Sequence, residues 1–183
     1  MRICGIDEAG RGTLAGSLFV AGVVLEIEIE GLRDSKKLSK KNRFRLYDEI
    51  VQNASFHIVE SSAQKVDSLG LGICLMESIL EICTQVSADS YIMDGNTSFG
   101  VQGVETLIRG DSLLPCISAA SILAKASKDR EMERLDRLHP EYGFAKHCGY
   151  GTKAHLEAIL HLGYSPFHRQ SFKLKRLLYP TLF

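Results

Sequence analysis

Short apolar runs alternate with longer amphipathic segments along this chain of 183 residues. Residues 2–8 and 18–25 have the length and apolar composition of strands, and the glycine-rich turn between them predicts a hairpin. Further apolar runs predict strands at about 56–61, 91–93 and 104–109. Strands therefore come early in the sequence and alternate with helical segments later.

Four segments carry apolar residues at helical spacing and predict helices. They span residues 40 to about 53, 69–86, 117–138 and 153–162, and Gly163 ends the last of them. This order of strands and helices favours an α/β or α+β domain in which helices pack on a mixed sheet.

The first predicted helix shows how the pattern assigns an inner face. Ser39 is a suitable N-cap, because its hydroxyl accepts a hydrogen bond from an N–H group of the first turn. The apolar residues that then recur at helical spacing are expected to face the core. They are Phe44, Leu46, Tyr47, Ile50 and Val51.

Composition places the chain among ordinary globular proteins, with 45% hydrophobic and 24% charged residues. No apolar run approaches the roughly 20 residues that span a bilayer. The sequence reaches acidic residues at once, without the apolar stretch of a secretory signal, so we expect a cytoplasmic protein that binds no membrane. Five scattered cysteines without a Cys-x-x-Cys pair argue against a zinc site and are expected to be buried, reduced thiols.

The formal net charge is zero, which argues against a protein that holds nucleic acid by bulk electrostatics. It does not argue against a nuclease, in which carboxylates at a metal site and basic residues around it cancel. The basic residues are uneven, and each cluster is either a solvated face or a contact surface. The clusters are Lys36, Lys37, Lys40 and Lys41, and Arg169, Lys173, Lys175 and Arg176.

Five acidic residues stand where chemistry rather than solubility favours them. Carboxylates at strand ends are costly to bury unless a positive charge pairs with them, and Mg²⁺ favours oxygen ligands. Singly, Asp-Gly and Gly-Asp pairs are ordinary turn signals, but their combination with acids in an apolar strand predicts a divalent-metal site. The residues are Asp7 and Glu8 in the first strand, Asp94 and Asp111 after two later strands, and Asp129 within the longest helix.

Strand geometry sets a condition on this site. Successive strand residues point to opposite faces, so Asp7 and Glu8 reach one site only if the backbone twists after Asp7. Gly10 and Gly12 close by are consistent with such a twist.

A polar stripe is predicted on the longest helix. Ser121, Lys125 and Asp129 are spaced i, i+4 and i+8, which places them on one face. Asp129 by itself would be a routine helix charge paired with Lys125. An acid, a base and a hydroxyl together suit a surface that faces metal and phosphate.

Six ordered motifs in this sequence resemble ribonuclease HII. The opening segment GIDEAGRG at residues 5–12 is a highly specific match, and the resemblance extends from residue 3 to about 170. The related ribonuclease HIII usually opens with Ser-Gly-Lys-Gly and carries an extra N-terminal domain, so Arg11 argues against it. The other motifs are DSKKL (34–38), DG (94–95), GD (110–111), AASILAKASKDR (119–130) and YGFAKHCGYGT (142–152).

The resemblance implies an α/β fold of the ribonuclease H-like type, with a mixed central sheet flanked by helices and a C-terminal helical extension. One catalytic domain is expected over 1–183, with a core to about 140 and a helical part from about 141. The implied activity is hydrolysis of the RNA strand of RNA–DNA hybrids and nicking of duplex DNA 5′ of embedded ribonucleotides, with Mg²⁺ or Mn²⁺. The products carry 3′-hydroxyl and 5′-phosphate ends, and the implied role is removal of misincorporated ribonucleotides and RNA primers. The sequence leaves the oligomeric state open, and a monomer is the default expectation.

The resemblance also implies roles for individual residues. The Gly10-Arg11-Gly12 turn is expected to read the ribose 2′-hydroxyl through its backbone, since glycines allow close approach to a sugar. Tyr150 is expected to pack on the neighbouring deoxyribose, with Tyr142 as the alternative if the register differs, although Tyr142 fits a core position better. The implied catalytic and metal-binding acids are Asp7, Glu8, Asp94, Asp111 and Asp129, with Asp111 slightly preferred to Asp94. The expected phosphate contacts are Lys36, Lys37, Ser121 and Lys125.

The sequence departs from the family pattern at Thr13 and Ser17, where members often carry proline. Because proline stiffens a loop, its absence predicts a more mobile turn and a less stringent reading of the junction. The sequence does not decide between Mg²⁺ and Mn²⁺, between single ribonucleotides and long hybrids, or whether residues 170–172 bind a sliding clamp.

Three alternatives compete with this interpretation. A non-catalytic nucleic-acid-binding module needs basic and aromatic residues without clustered acids, yet aromatic residues make up only 8% and tryptophan is absent. A nucleoside triphosphatase is disfavoured because no Gly-x-x-x-x-Gly-Lys-Ser/Thr loop is present. Another nuclease of the same fold is the remaining alternative, and it would cut all-DNA duplexes.

Overall fold

A mixed five-stranded sheet forms the centre of the computed structural model, which describes residues 1–32 and 38–172. Its strands are β1 (Ile3–Ala9), β2 (Leu18–Leu25), β3 (Ala54–Ser61), β4 (Ser90–Asp94) and β5 (Val104–Leu107). They lie in the order β3-β2-β1-β4-β5. The first three strands pair antiparallel, whereas β1, β4 and β5 run parallel. The predicted hairpin and the predicted mixed sheet are confirmed.

Helices cover both faces of this sheet. Ser39 caps α1 by accepting a hydrogen bond from the N–H of Asn42, as predicted. The helices are α1 (Lys40–Asn53), α2 (Ala63–Leu69), α3 (Leu71–Gln85), α4 (Gly110–Leu113), α5 (Pro115–Leu138), α6 (Phe144–His147) and α7 (Lys153–Leu162), with a short 3-10 helix at Pro140–Tyr142.

Three sequence predictions differ from the structure. The segment 69–86 is not one helix, because Gly70 adopts a φ of 84° and separates α2 from α3. The last strand ends at Leu107, and Asp111 lies in the first turn of α4 instead of directly after a strand. Val51 is 37% exposed, since the inner face of α1 is centred on Leu46 and Ile50.

The core consists of two apolar layers on either side of the sheet. Ile6 and Ile79 belong to the layer between the sheet and α3, whereas Leu46 and Leu123 belong to the layer beneath α1 and α5. α5 packs directly on β1 and β2. A Cβ at Gly5 would collide with the main chain at the start of α5, so this glycine allows the close packing.

A third apolar cluster joins the C-terminal part to the second half of α5. It contains Ala15, Met132, Leu135, Tyr142 and Phe144. An isolated antiparallel bridge pairs Ala15 with His168, so the chain returns to the loop after β1. Among the helices of the described ranges, none combines the length and apolar character needed to cross a bilayer.

The cysteines follow the prediction in part. All five are free thiols. Cys4, Cys74 and Cys116 are buried, whereas Cys83 and Cys148 are half-buried.

Candidate active site

Two carboxylates come together where the parallel strands β1 and β4 end. Ile6 lies beside Met93 in this pair, so Asp7 and Asp94 are the next residues along the two strands. The carboxyl ends of parallel strands are a usual place for ligand sites in α/β sheets. The sheet topology therefore aligns two acids that are far apart in the sequence.

Asp7 is a buried carboxylate on the side of the sheet covered by α5. Burial raises its pKa to about 7, and the negative charge of Glu8 adds to this effect. The Ser121 hydroxyl and the charge of Lys125 oppose the shift, and Asp7 also accepts a hydrogen bond of 2.8 Å from the N–H of Glu8. The fold thus holds a carboxylate in a place where its negative charge is costly.

Glu8 is oriented by the glycine-rich turn. Its Oε1 lies 3.1 Å from Nη1 of Arg11, and the Arg11 guanidinium lies over the ring of Phe99 at 4.9 Å. Burial raises the pKa of Glu8, Arg11 lowers it, and Asp94 raises it again, so Glu8 and Asp94 are electrostatically coupled. β1 pairs regularly with β2 as far as Ala9, so the strand is not interrupted after Asp7, where a twist was expected.

Asp94 and Asp111 occupy different positions around the loop after β5. Oδ1 of Asp94 accepts a hydrogen bond of 2.6 Å from the N–H of Gly110, which fixes the start of α4. Asp111 is only 2% exposed in the first turn of α4, and its Oδ1 lies 3.4 Å from the Ser112 hydroxyl. Asp94 therefore anchors the segment that carries Asp111.

The predicted polar stripe is present on α5. Nζ of Lys125 donates a hydrogen bond of 2.6 Å to Oγ of Ser121. Asp129, one turn further, forms an ion pair with Arg43 of α1 instead of Lys125. The Cys148 thiol lies 3.6 Å from Oδ1 of Asp129, and burial raises the pKa of this thiol. Asp129 is thus already paired with a cation of the protein.

A cavity of about 240 Å³ connects the stripe to the glycine-rich turn. Gly10, Lys125, Asp129 and Tyr150 all line it. Tyr150 is 52% exposed, as a residue that contacts substrate must be accessible. Tyr142, in contrast, packs in the third apolar cluster and donates a hydrogen bond of 3.0 Å to the carbonyl of Gly163, which agrees with the core position preferred for it.

Side chains secure the turn at the two positions where proline is absent. Oγ1 of Thr13 donates to the carbonyl of Gly10 at 3.0 Å. The N–H and hydroxyl of Ser17 both donate to the Glu131 carboxylate, at 2.9 and 2.6 Å. A proline at position 17 would lack this N–H. These contacts argue against the predicted mobility of the turn.

Two buried basic residues beside the candidate site, Lys128 and Arg169, were not found from the sequence. Nζ of Lys128 donates to the carbonyls of Ala15 and Ser17 at 3.0 and 2.9 Å, and it pairs with Glu131. The interpretation of the C-terminal basic cluster as a solvated or contact surface is wrong for Arg169, which is 1% exposed. Lys36 and Lys37 lie outside the described residues. No local pattern marks Lys128 or Arg169 as buried, since the main-chain carbonyls that they bind are more than 100 positions away.

The donor chemistry of this region fits a divalent cation. Within residues 1–32 and 38–172, no three acidic, histidine or cysteine side chains are already grouped in a metal-binding arrangement. The available ligands are nonetheless carboxylate oxygens, which Mg²⁺ and Mn²⁺ prefer. Burial raises the pKa values of both Asp7 and Glu8, and a bound cation would relieve that cost.

Known proteins are similar to this chain in both sequence and fold. A family model described as ribonuclease HII matches residues 4–175. Ribonuclease HII of Sulfurovum sp. (strain NBC37-1) is 51% identical over 181 residues, which covers 99% of this chain and 96% of the relative.

Solved structures agree with this relationship. A chain in the structure of the PCNA:RNase HII complex from Archaeoglobus fulgidus has a TM-score of 0.81 and 27% identity, covering 95% of this chain and 96% of that chain. Bst-RNase HIII in complex with Mn²⁺ shares the fold, with a TM-score of 0.69, 18% identity and coverage of 89% of this chain and 63% of that chain. The chain therefore belongs to the ribonuclease HII family of divalent-metal-dependent ribonuclease H endonucleases.

Proposed function

We propose that this enzyme hydrolyses the RNA strand of RNA–DNA hybrids and nicks duplex DNA on the 5′ side of an embedded ribonucleotide. The observation that carries the proposal is the position of Asp7. The Ser121 hydroxyl and the positive charge of Lys125 both lower the pKa of this buried carboxylate, and Lys125 lines the same cavity as Gly10 and Tyr150. The buried acid, the cation proposed to bind phosphate and the turn proposed to contact the sugar therefore lie next to one another.

The acids are assigned to Mg²⁺ or Mn²⁺, which when bound would activate water and stabilise the departing 3′-oxygen. Asp7, Glu8 and Asp94 supply carboxylates at the ends of β1 and β4. Asp111 and Asp129 complete the proposed set from α4 and α5. No protein nucleophile is required. Water adds to the phosphorus and the bond to the 3′-oxygen breaks, so the products carry 3′-hydroxyl and 5′-phosphate ends.

The remaining residues position the substrate. Lys125 and Ser121 offer a cation and a hydroxyl for a phosphate, and Lys36 and Lys37 are proposed to add further phosphate contacts. The backbone of the turn at 10–12 is proposed to contact the 2′-hydroxyl, which distinguishes RNA from DNA. Tyr150, exposed at the cavity, is proposed to pack on the deoxyribose that follows.

The test uses three duplexes of one sequence: all DNA, DNA with a single ribonucleotide, and an RNA–DNA hybrid. Each is incubated with the enzyme in Mg²⁺, in Mn²⁺ and in chelator, and the product ends are mapped. We expect cleavage of both ribonucleotide-containing duplexes in metal only, with 3′-hydroxyl ends. Equal cleavage of the all-DNA duplex would identify a general nuclease of the same fold. Binding of hybrid without cleavage in either metal would identify a non-catalytic module.

We further propose that the enzyme acts in the cytoplasm as a monomer and removes misincorporated ribonucleotides and RNA primers. One catalytic domain with a C-terminal helical part from about residue 141 is proposed to be sufficient for the activity. The third apolar cluster, which attaches that part to α5, supports this assignment.

A further inference from the structure

Of the two loops proposed to read the ribonucleotide, the segment 165–171 binds the loop after β1 directly and the loop of Tyr150 through histidine side chains. Its main chain is bound to the loop after β1, because the N–H of Gly16 donates to the carbonyl of Phe167 and the N–H of Arg169 donates to that of Leu14, each at 2.8 Å. At its end, the N–H groups of Gln170 and Ser171 donate to Asp67 of α2, at 2.8 and 3.0 Å. The segment is therefore fixed at several points along its length.

Arg169 binds two main-chain carbonyls of the loop after β1, one within the glycine-rich turn and one beyond it. Its side chain is almost completely buried, with Nε donating to the carbonyl of Gly16 at 3.1 Å and Nη1 donating to that of Arg11 at 3.2 Å. Burial lowers the pKa of the guanidinium to about 10. A planar guanidinium presents its donors in a fixed geometry, so these two carbonyls are held at a defined separation.

His168, the preceding residue, is linked through His155 to the loop that carries Tyr150. Its Nδ1 accepts a hydrogen bond of 2.9 Å from the N–H of Ser165, so the ring proton lies on Nε2. Nε2 then donates to Nε2 of His155 at 3.0 Å. This leaves the proton of His155 on Nδ1, which donates to the carbonyl of Tyr150 at 2.9 Å. The hydrogen bonds thus fix both tautomers and tie the main chain of Tyr150 to the 165–171 segment.

The two loops also contact each other directly. The N–H of Leu14 donates to the carbonyl of Gly149 at 2.8 Å. A Cβ at Gly149 would lie 2.5 Å from the carbonyl oxygen of Ala15, so the loops approach as closely as their backbones permit. Neither His168 nor Arg169 lines the cavity shared by Gly10 and Tyr150.

We propose that His168 and Arg169 are positioning residues that hold the glycine-rich turn and Tyr150 in one relative arrangement, and that this arrangement sets the selectivity for a single ribonucleotide in DNA. The inference rests on the proposed function of the two loops. A single ribonucleotide offers one productive register, whereas a hybrid offers a ribonucleotide at every position. Loss of the arrangement should therefore reduce cleavage of the first substrate much more than that of the second.

The test compares Arg169→Met and His168→Leu with wild type on the single-ribonucleotide duplex and on the hybrid. We expect kcat/KM to fall at least tenfold on the first and less than threefold on the second, with cut sites on the hybrid spread over neighbouring positions. Arg169→Lys and His168→Gln each retain one side-chain nitrogen that can donate a hydrogen bond, and they should recover part of the selectivity. These conservative variants also keep the test decisive if the apolar variants do not fold.

Two control variants separate positioning from general stability. Arg137→Met removes an exposed arginine of α5, and Ile79→Val removes one buried methylene beneath the opposite face of the sheet. Both should keep the wild-type ratio of the two kcat/KM values. Equal losses on both substrates in the His168 and Arg169 variants would overturn the inference and leave the proposed function intact. A wild-type enzyme that cuts neither duplex would refute the proposed function, and the inference with it.

Discussion

His155 and His168 share one hydrogen bond between their Nε2 atoms, at 3.0 Å, within a cluster of rings that includes Phe144 and His147. The two side chains are 0% and 2% exposed. Burial lowers the pKa of each to about 4, and neighbouring histidines add to the shift. Both rings are therefore neutral in the folded protein at physiological pH.

The first prediction concerns acid stability. Between pH 6.5 and about 4 the unfolded chain binds protons at these histidines that the folded chain does not, so the free energy of unfolding should fall as the pH decreases through this window. Each ring contributes up to about 1.4 kcal/mol per pH unit. Urea unfolding of wild type, His155→Gln and His168→Gln between pH 4 and 7.5 measures this slope, which should be shallower in the variants. His161→Gln changes an exposed histidine and should leave it unaltered.

The second prediction concerns Asp7. Asp7→Asn should reduce cleavage of every ribonucleotide-containing duplex by at least about a thousandfold, on the scale expected when metal-assisted chemistry is lost. Because the substitution removes a buried charge, it should also stabilise the metal-free protein by about 1 kcal/mol or more. Cleavage assays check the first part, and thermal unfolding in chelator checks the second. Near-normal cleavage in Mg²⁺ and Mn²⁺ would remove Asp7 from the ligand set.

The third prediction compares two glycines of the same turn. A Cβ at Gly10, where φ is 88°, would lie 2.7 Å from the carbonyl oxygen of Ser17, whereas a Cβ at Gly12 would meet no atom within 4 Å. Gly10→Ala should therefore lower the free energy of unfolding by more than about 1 kcal/mol, and Gly12→Ala should leave it nearly unchanged. If the turn contacts the sugar, Gly12→Ala should still reduce cleavage at a single ribonucleotide. Full activity of a stable Gly12→Ala would argue against that contact.

The fourth prediction concerns Arg43, which is paired with Asp129. A bound cation at Asp129 must compete with this guanidinium. Arg43→Met should therefore raise the affinity for Mn²⁺ several-fold, as measured by calorimetric titration of the protein without substrate. The double variant Arg43→Met/Asp129→Asn should lose the gain. An unchanged affinity in the single variant would show that the ion pair does not oppose metal binding.

Local sequence patterns predicted most of the elements, since apolar periodicity is a local property. The helix start at Ser39 and the β1–β2 hairpin lie where the pattern placed them. The break at Gly70 was missed, because apolar residues at helical spacing continue through it and only the backbone angle differs. The glycine–aspartate pair at 110–111 was taken for a strand end, although it begins a short helix.

The candidate site could be predicted only as far as its residues carry local signals. Asp7 and Glu8 were found because acids in an apolar strand are unusual, and the stripe of α5 follows from helical spacing. The partner of Asp129 was not found, because Arg43 is 86 positions away and sits in an ordinary amphipathic helix. The metal-ligand assignments of all five acids remain predictions.

The contact between Arg169 and Gly16 joins positions 153 residues apart, and this separation has a consequence for synthesis of the chain. A nascent polypeptide holds all five candidate acids once residue 129 has left the ribosome. Its glycine-rich turn gains the guanidinium contacts only after translation has passed residue 169. The order of synthesis therefore delivers all five acids before the glycine-rich turn can receive these contacts, so a product released before residue 169 would lack them.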